Sequence, residues 1–363
     1  MKAEWTINTL GDTCEMYQPK TISSKEMVQD GAYPVFGANG MIGRYDQYNH
    51  EEPQLLITCR GATCGSVNIS EPFSWITGNA MVVRPKQVEL DIRFLEYLFR
   101  GGIDISQAIT GAAQPQITRT NLSPLKISYP TSIIEQQRIV AILDEAFEAI
   151  AAARANAEQN RQNARALFES VLNSVEGKPA ALGDYVTIKT GKLDANAAVE
   201  GGEYPFFTCS KEIYAIDKFA FDGEAILLAG NNAVGDFNVK HYRGKFNAYQ
   251  RTYVITVNNE DLLLYRFLYF QMLKSLKRFK EQSVGAGTKF LKLGMIKDLK
   301  ISLPSPQEQI RLVSLLDSVL EETQRLESLY QRKIAALDEL KQSLLQQAFS
   351  GQLDTTRVEV LTP

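Results

Sequence analysis

Apolar residues along this chain follow two rhythms. In two long stretches they recur at alternating intervals of three and four; elsewhere they form short runs broken by Gly, Asn and Pro. Positions 135–175 hold neither Pro nor Gly, and Ile139, Leu143, Ala146, Ile150, Ala153, Ala157, Ala164, Leu167 and Val171 mark one stripe. That spacing predicts a long helix with a seam suited to pairing with another helix. Between 306 and 351 the pattern returns at Leu312, Leu316, Val319, Leu326, Tyr330, Ile334, Leu337, Leu340 and Leu344. Pro130, Pro304 and Pro306 supply N-terminal stops, Gly177 and Gly351 C-terminal ones. A helix of about 40 residues is about 60 Å long, and alone it would strand its stripe in water.

The short runs at 54–59, 81–84, 225–229 and 253–257 read as strands, and 90–100 and 261–280 as one helix in each of two α/β domains. The domains are copies of one pattern, repeated after about 170 residues. Leu10-Gly11-Asp12 returns as Leu182-Gly183-Asp184, Tyr33-Pro34-Val35-Phe36 as Tyr204-Pro205-Phe206-Phe207, and Asn79-Ala80 as Asn247-Ala248. Positions 111–127 align with 285–301 without a gap, and after a one-residue adjustment 135–144 face 308–317.

The expected architecture is therefore two similar α/β domains separated by two long antiparallel helices, which form a coiled coil about a pseudo-twofold axis. Residues 1–130 form the first domain, 131–177 the first helix, 178–304 the second domain, 305–353 the second helix and 354–363 a tail. The alanines between Ala146 and Ala157 permit close approach, and Asn160 is expected on the seam, fixing its register. A plainer reading makes the helices a hairpin that only holds two domains together.

Composition narrows the function. With 363 residues, 44% hydrophobic and 22% charged, the chain has material for more than one core and is not a disordered protein. No apolar run approaches the roughly 20 residues that cross a bilayer, and the start, Met1-Lys2-Ala3-Glu4-Trp5, lacks the layout of a secretion signal. A cytoplasmic location without membrane partners is expected. Cys14, Cys59, Cys64 and Cys209 have no CxxC spacing, and only His50 and His241 accompany them, so reduced thiols are expected instead of structural zinc.

Charge is uneven. Basic against acidic residues number 11 to 13 in 1–130, four to seven in 131–177, 18 to 13 in 178–304 and six to nine thereafter. Only the second domain is net basic. Its Lys274, Lys277, Arg278 and Lys280, followed by Lys289, Lys292, Lys297 and Lys300, suit phosphates or, more plainly, a solvated helix face.

Loops after the predicted strands carry the candidate readers. Arg60 and Thr63 lie between Cys59 and Gly65, and Asn231 and Asn232 lie at the equivalent place in the second copy. Arg pairs with the guanine edge through two bonds, and Asn or Gln with adenine, so equivalent loops with different residues would read different bases. Arg44, Tyr45, Gln114, Gln116 and Arg119 extend this DNA-binding set in the first domain. Lys211, Tyr242, Arg243, Gln250, Arg251, Thr288 and Lys289 extend it in the second.

Catalytic motifs are scarce. Gly230 and Gly235 have the first spacing of a phosphate loop but are followed by Asp236-Phe237 where Lys and Ser or Thr are needed. Gly285-Ala286-Gly287-Thr288-Lys289 lacks the preceding Gly, no Asn-Pro-Pro-Tyr or Asp-Pro-Pro-Tyr element accompanies 36–40, and no GxSxG occurs. No catalytic residue, cofactor site or metal site is expected in this chain.

Four strings together resemble the specificity subunit of type I restriction-modification systems. They are Tyr33 to Gly40 (YPVFGANG), Gly111 to Ile117 (GAAQPQI), Ile301-Ser302-Leu303-Pro304 leading to Glu308-Gln309, and Ala348-Phe349-Ser350-Gly351-Gln352-Leu353. The resemblance covers nearly the whole chain and implies a noncatalytic reader of double-stranded DNA, whose two target-recognition domains each read half of an asymmetric, interrupted site. It implies two methyltransferase subunits as partners, which bind S-adenosylmethionine and methylate adenine, and restriction/translocase subunits that use ATP and Mg. The first helix ends in Leu172-Asn173-Ser174-Val175-Glu176-Gly177 in place of the Ala-Phe-Ser-Gly string, so docking at its two ends is not expected to be identical. A type IIB or related specificity subunit, and a coiled-coil scaffold carrying protein- or carbohydrate-binding modules, are the competing readings.

Overall fold

A computed structural model describes residues 4–37, 39–86 and 90–356; positions 1–3, Ala38 of the glycine-rich stretch and positions 357–363 of the expected tail lie outside the described residues. The chain divides into two units, Met1–Ala157 with Arg332–Pro363, and Glu158–Gln331.

In the first unit, β1 (Trp5–Thr9) pairs antiparallel with β9 (Lys126–Pro130). Between them run β2 (Cys14–Tyr17), β3 (Tyr33–Gly37), β4 (Gly40–Tyr45), β5 (Leu55–Thr58), β6 (Val67–Ile69), β7 (Trp75–Ile76) and β8 (Ala80–Pro85). They form two sheets, in the orders β2-β8-β5-β6 and β4-β3-β7. β5 is buried throughout and apolar from Leu55 to Ile57, because both its faces are covered. Leu55 and Ile57 join the main core with Phe94 and Leu95, while Leu56, on the opposite face, joins Phe36, Ile76 and Val82.

The second unit repeats this path. β10 (Lys178–Ala181) pairs with β19 (Lys300–Leu303), and a six-stranded sheet has the order β11-β17-β14-β16-β12-β13. Its strands are β11 (Val186–Thr190), β12 (Tyr204–Phe207), β13 (Tyr214–Ile216), β14 (Phe221–Ala229), β16 (Val239–Ala248) and β17 (Thr252–Val257); a short pair, β15 (Asn231–Asn232) and β18 (Lys289–Phe290), stands apart. One ten-residue strand, β16, runs where the first unit has β6 and β7. Its end lies parallel to β12 at Phe206 and Asn247, as β7 lies parallel to β3 at Val35 and Trp75.

The helix expected at 90–100 is shorter than its pattern. It spans Ile92–Tyr97 and opens into a π-type turn, Leu98–Gly102, whereas the second unit has an 18-residue helix, Tyr265–Gln282. Gly101 and Gly102 explain the difference. A Cβ on either would lie 2.6 Å from an atom of Leu345 or Phe349, so the widened turn brings bare backbone against the second long helix.

The long helices span Ile133–Asn173 and Pro306–Phe349. Within each unit their contacts run in opposite directions. In the first, Arg154 pairs with Asp338, and Glu135 accepts at 2.5 Å from Thr355, six residues past the end of the second helix; in the second, Arg161 donates to Gln331 at 2.5 Å and Arg165 pairs with Glu327.

Three seam expectations need correction. Asn160 is exposed, Leu167 is 61% exposed and Leu340 46% exposed, while Phe168, Leu172, Leu345 and Ala348 are buried. The buried positions Leu143, Ile150, Ala157 and Ala164 keep a seven-residue interval, and the stripe then advances by fours to Phe168 and Leu172. The buried polar tie is made by Thr323, whose hydroxyl donates to the Ala164 carbonyl at 3.4 Å.

Candidate nucleic-acid interface

In the first unit the chain leaves β5 at Thr58 and turns through 59–66, closed by Gly65 N–H donating to the Thr58 carbonyl at 2.9 Å. Residues 115–117 then lie alongside: Gly61 N–H donates to the Pro115 carbonyl at 3.1 Å and Ile117 N–H to the Cys59 carbonyl at 2.9 Å. Arg60 and Gln116 face each other across this short ladder. The result is a cleft of about 540 Å³ lined by Arg60, Gly61, Gln114, Pro115 and Gln116. The side chains of Arg60, Gln114 and Gln116 are exposed, and among the described residues none is committed to a protein hydrogen bond.

The second unit has a cleft of about 510 Å³ beside the matching ladder. β14 leads into Gly230, whose N–H donates to the Arg251 carbonyl and whose carbonyl accepts from Leu291 N–H, both at 2.9 Å. β15 pairs with β18, so Asn231 faces Phe290 where Arg60 faces Gln116 in the first unit. Gln250, Arg251, Tyr253, Phe290 and Lys292 line the cleft. Arg251 lies over the Phe290 ring at 5.2 Å, and the Tyr253 hydroxyl donates to the Leu291 carbonyl at 2.8 Å. Burial raises the pKa of Tyr253, which keeps it a donor.

A matching turn precedes each cleft. Gly111 has φ +85° and Gly285 φ +120°, and a Cβ would meet the carbonyl oxygen of Gln114 at 2.5 Å or of Thr288 at 1.9 Å. Only glycine fits there, which explains why GA opens the repeated string in both copies.

The other sequence-predicted residues are placed as follows. Arg44 donates to the carbonyls of Gly31 (2.6 Å) and Ala32 (2.8 Å), and Tyr45 packs edge-on against Trp75; both lie on β4, outside the cleft lining. Thr63 is exposed in the 59–66 turn, and Arg119 lines a separate concavity with Gly11, Lys86 and Ser123. Asn232 accepts from the N–H groups of Val234 (2.9 Å) and Asp236 (3.0 Å), so it shapes its loop. Tyr242 packs on Phe207 and Phe246, and Arg243 is exposed, 3.9 Å from Glu224. Lys211 pairs with Asp236 at 2.7 Å and holds that carboxyl below the usual range. Half-buried Thr288 and Lys289 lead into and begin β18, and Lys289 with Lys280 flanks Gly235.

Thr190, Tyr253, Phe290 and Lys292 line the second cleft although the sequence did not place them in the candidate set. Lys292 was visible in a basic run, but nothing local announces that Phe290 meets Arg251. All four cysteines are free thiols. Among the described residues there is no group of three or more His, Cys, Asp or Glu suited to a metal, and no helix is long and apolar enough to cross a membrane.

Residues 2–159 and 175–335 each match the family described as the type I restriction modification DNA specificity domain. The chain belongs to that family. It is 40% identical over 179 residues to the type I restriction enzyme EcoDI specificity subunit of Escherichia coli, and 31% over 142 residues to the EcoprrI specificity subunit of the same organism. These matches take in 49% and 38% of this chain, but span only 39% and 34% of the relatives' own length. A putative specificity subunit of Haemophilus influenzae is 24% identical over 318 residues, 79% of this chain and 80% of its own.

Two solved structures share the fold. A chain from a type I R-M system studied for complex assembly and conformational transition has a TM-score of 0.75, at 17% identity over 97% of this chain and 100% of that one. The HsdS subunit from Thermoanaerobacter tengcongensis has a TM-score of 0.56, also at 17% identity, over 96% and 97%. In this member of the type I specificity family, each matched segment begins with one of the two α/β copies and so takes in one cleft. The first cleft offers a loop arginine with two free amides, the second an arginine laid on an aromatic ring beside a lysine.

Proposed function

We propose that this chain is the noncatalytic subunit that gives a type I restriction-modification complex its DNA sequence specificity, each unit reading one half of an asymmetric, interrupted site. The observation that carries this reading is that a cleft lies beside the same short ladder in each unit, Arg60 with Gln116 and Asn231 with Phe290, each offering an arginine without a side-chain hydrogen bond and a different set of neighbours. Base-edge contacts from Arg60, Gln114 and Gln116 in one unit, and from Gln250 and Arg251 in the other, would discriminate sequence, while Lys280, Lys289 and Lys292 meet phosphates.

The two long helices act in this reading as an antiparallel coiled-coil ruler about a pseudo-twofold axis, and so fix the unread spacer. Two methyltransferase subunits bring S-adenosylmethionine and modify adenine; restriction/translocase subunits bring ATP and Mg. Mapping adenine methylation genome-wide with and without this gene tests the proposal. A bipartite motif that disappears with the gene is the expected result, and an unchanged methylation pattern overturns it.

A further inference from the structure

Each long helix begins with a glutamine that is wholly buried, Gln136 in the first unit and Gln309 in the second. Their side chains do the same work. The Gln136 amide accepts from Asp91 N–H at 2.8 Å and donates to the Pro130 carbonyl at 2.8 Å. Gln309 accepts from Leu264 N–H at 3.0 Å and donates to the carbonyls of Pro304 at 3.1 Å and Leu262 at 2.8 Å. Asp91 and Leu264 each precede a domain helix, and Pro130 and Pro304 each lie at the exit of the last domain strand. Each amide therefore ties the exit of the last domain strand to the start of the domain helix, joining backbone groups that a dry interior would otherwise leave unpaired.

A second latch lies two turns further on. Arg93 donates to Asp144 at 2.7 Å and Arg266 to Asp317 at 2.6 Å, each guanidinium resting on an aromatic ring, Tyr97 at 5.6 Å and Tyr269 at 4.6 Å. From the clasp the path to the cleft is short. Asp91 caps the helix that carries Phe94 and Leu95, these pack in one core with Leu55 and Ile57 of β5, and β5 runs into Arg60. In the second unit Phe267 and Leu268 share a core with Ile226 and Leu228 of β14, which runs into Gly230.

We propose that Gln136 and Gln309 are positioning residues, which set the angle at which each cleft is aimed from its long helix and thereby the number of unread base pairs the protein accepts. The proposal rests on the clefts being half-site readers. Adding one base pair moves a half-site by about 3.4 Å and turns it by about 34°, so a reader tolerates the wrong spacing only if its mounting gives. A buried multi-point clasp denies that play, because turning the domain breaks several bonds at once.

The test uses the full chain in its native host. Gln136→Leu and Gln309→Leu are compared with Asp144→Asn and Asp317→Asn, which keep side-chain size at partly exposed positions. Adenine methylation is read on a plasmid library that carries both half-sites with varied spacers. The expected result is unchanged base preference in each half-site, with spacers one base pair too long or short rising to within about tenfold of the native one, the factor that about one unpaired buried group produces.

A uniform loss at every spacer, with the ratio between spacers unchanged, assigns these residues a merely structural role and overturns the proposal. If the Leu variants do not accumulate, the Asn variants decide by the same ratio. A wild-type protein that directs methylation to no bipartite site overturns the half-site reading itself, a different result from either.

Discussion

The guanidinium of Arg251 lies 5.2 Å above the ring of Phe290, two residues from different parts of the second unit that meet only in the fold. The ring holds the guanidinium in one plane and leaves its edge free for two parallel bonds to a base. Arg251→Ala is expected to relax base preference at one position of one half-site, at about 1–3 kcal/mol. Phe290→Leu keeps the charge but loses the support, at about 0.5–1 kcal/mol. Competition binding of the assembled complex to single-base site variants measures both; equal weakening on every variant would assign Arg251 to phosphate.

Arg60→Ala is expected to relax the other half-site and leave the preference set by Arg251 untouched. Because the two arginines belong to different units and share no partner, the double variant should be additive within about 0.5 kcal/mol. A coupling well above that in the same binding assay would mean the clefts do not read independently.

The long helices give a stability test of the corrected seam. Leu345→Ala should cost about 2–5 kcal/mol, since Leu345 is 2% exposed in the core of the first unit, whereas Leu340→Ala should stay within about 0.5 kcal/mol. Thr323→Val should cost about 1 kcal/mol through the lost bond to Ala164, and Asn160→Ala close to nothing. Urea unfolding of the four variants checks the ranking.

Alkaline pH gives another. Burial pushes the Cys14 thiol from 9.0 up to about 11, so the folded state holds its proton more tightly than the unfolded chain. Its contribution is fully present below pH 9 and is lost as pH rises through about 11, a change of about 3 kcal/mol. Cys14→Ala should remove that part of the pH dependence in urea titrations at pH 8 and 10.5.

The duplication, both long helices and the strands that feed the clefts were legible in the sequence, because glycine, proline and apolar spacing are local signals. Leu55 to Ile57 reads as a doubly buried strand on composition alone. What was not legible depends on distance or on a choice that local spacing leaves open. Leu167 and Asn160 each lie three past a buried alanine, Ala164 and Ala157, and are exposed; after Ala164 the stripe steps by four to Phe168, and local spacing allows either step. Arg44 reads as a DNA contact by loop position and charge, yet its donors close a turn at Gly31 and Ala32. The Arg251–Phe290 stack joins segments that no local pattern connects.

Leu345 and Ala348 sit in one core with Leu10, Leu55 and Phe94, while the second unit is drawn from the unbroken segment Glu158–Gln331. A ribosome therefore delivers everything the later unit needs before it delivers the plug for the earlier one. The order of birth is inverted in the order of completion: in the half begun first, the face that Leu345 and Ala348 cover stays open until the closing helix emerges.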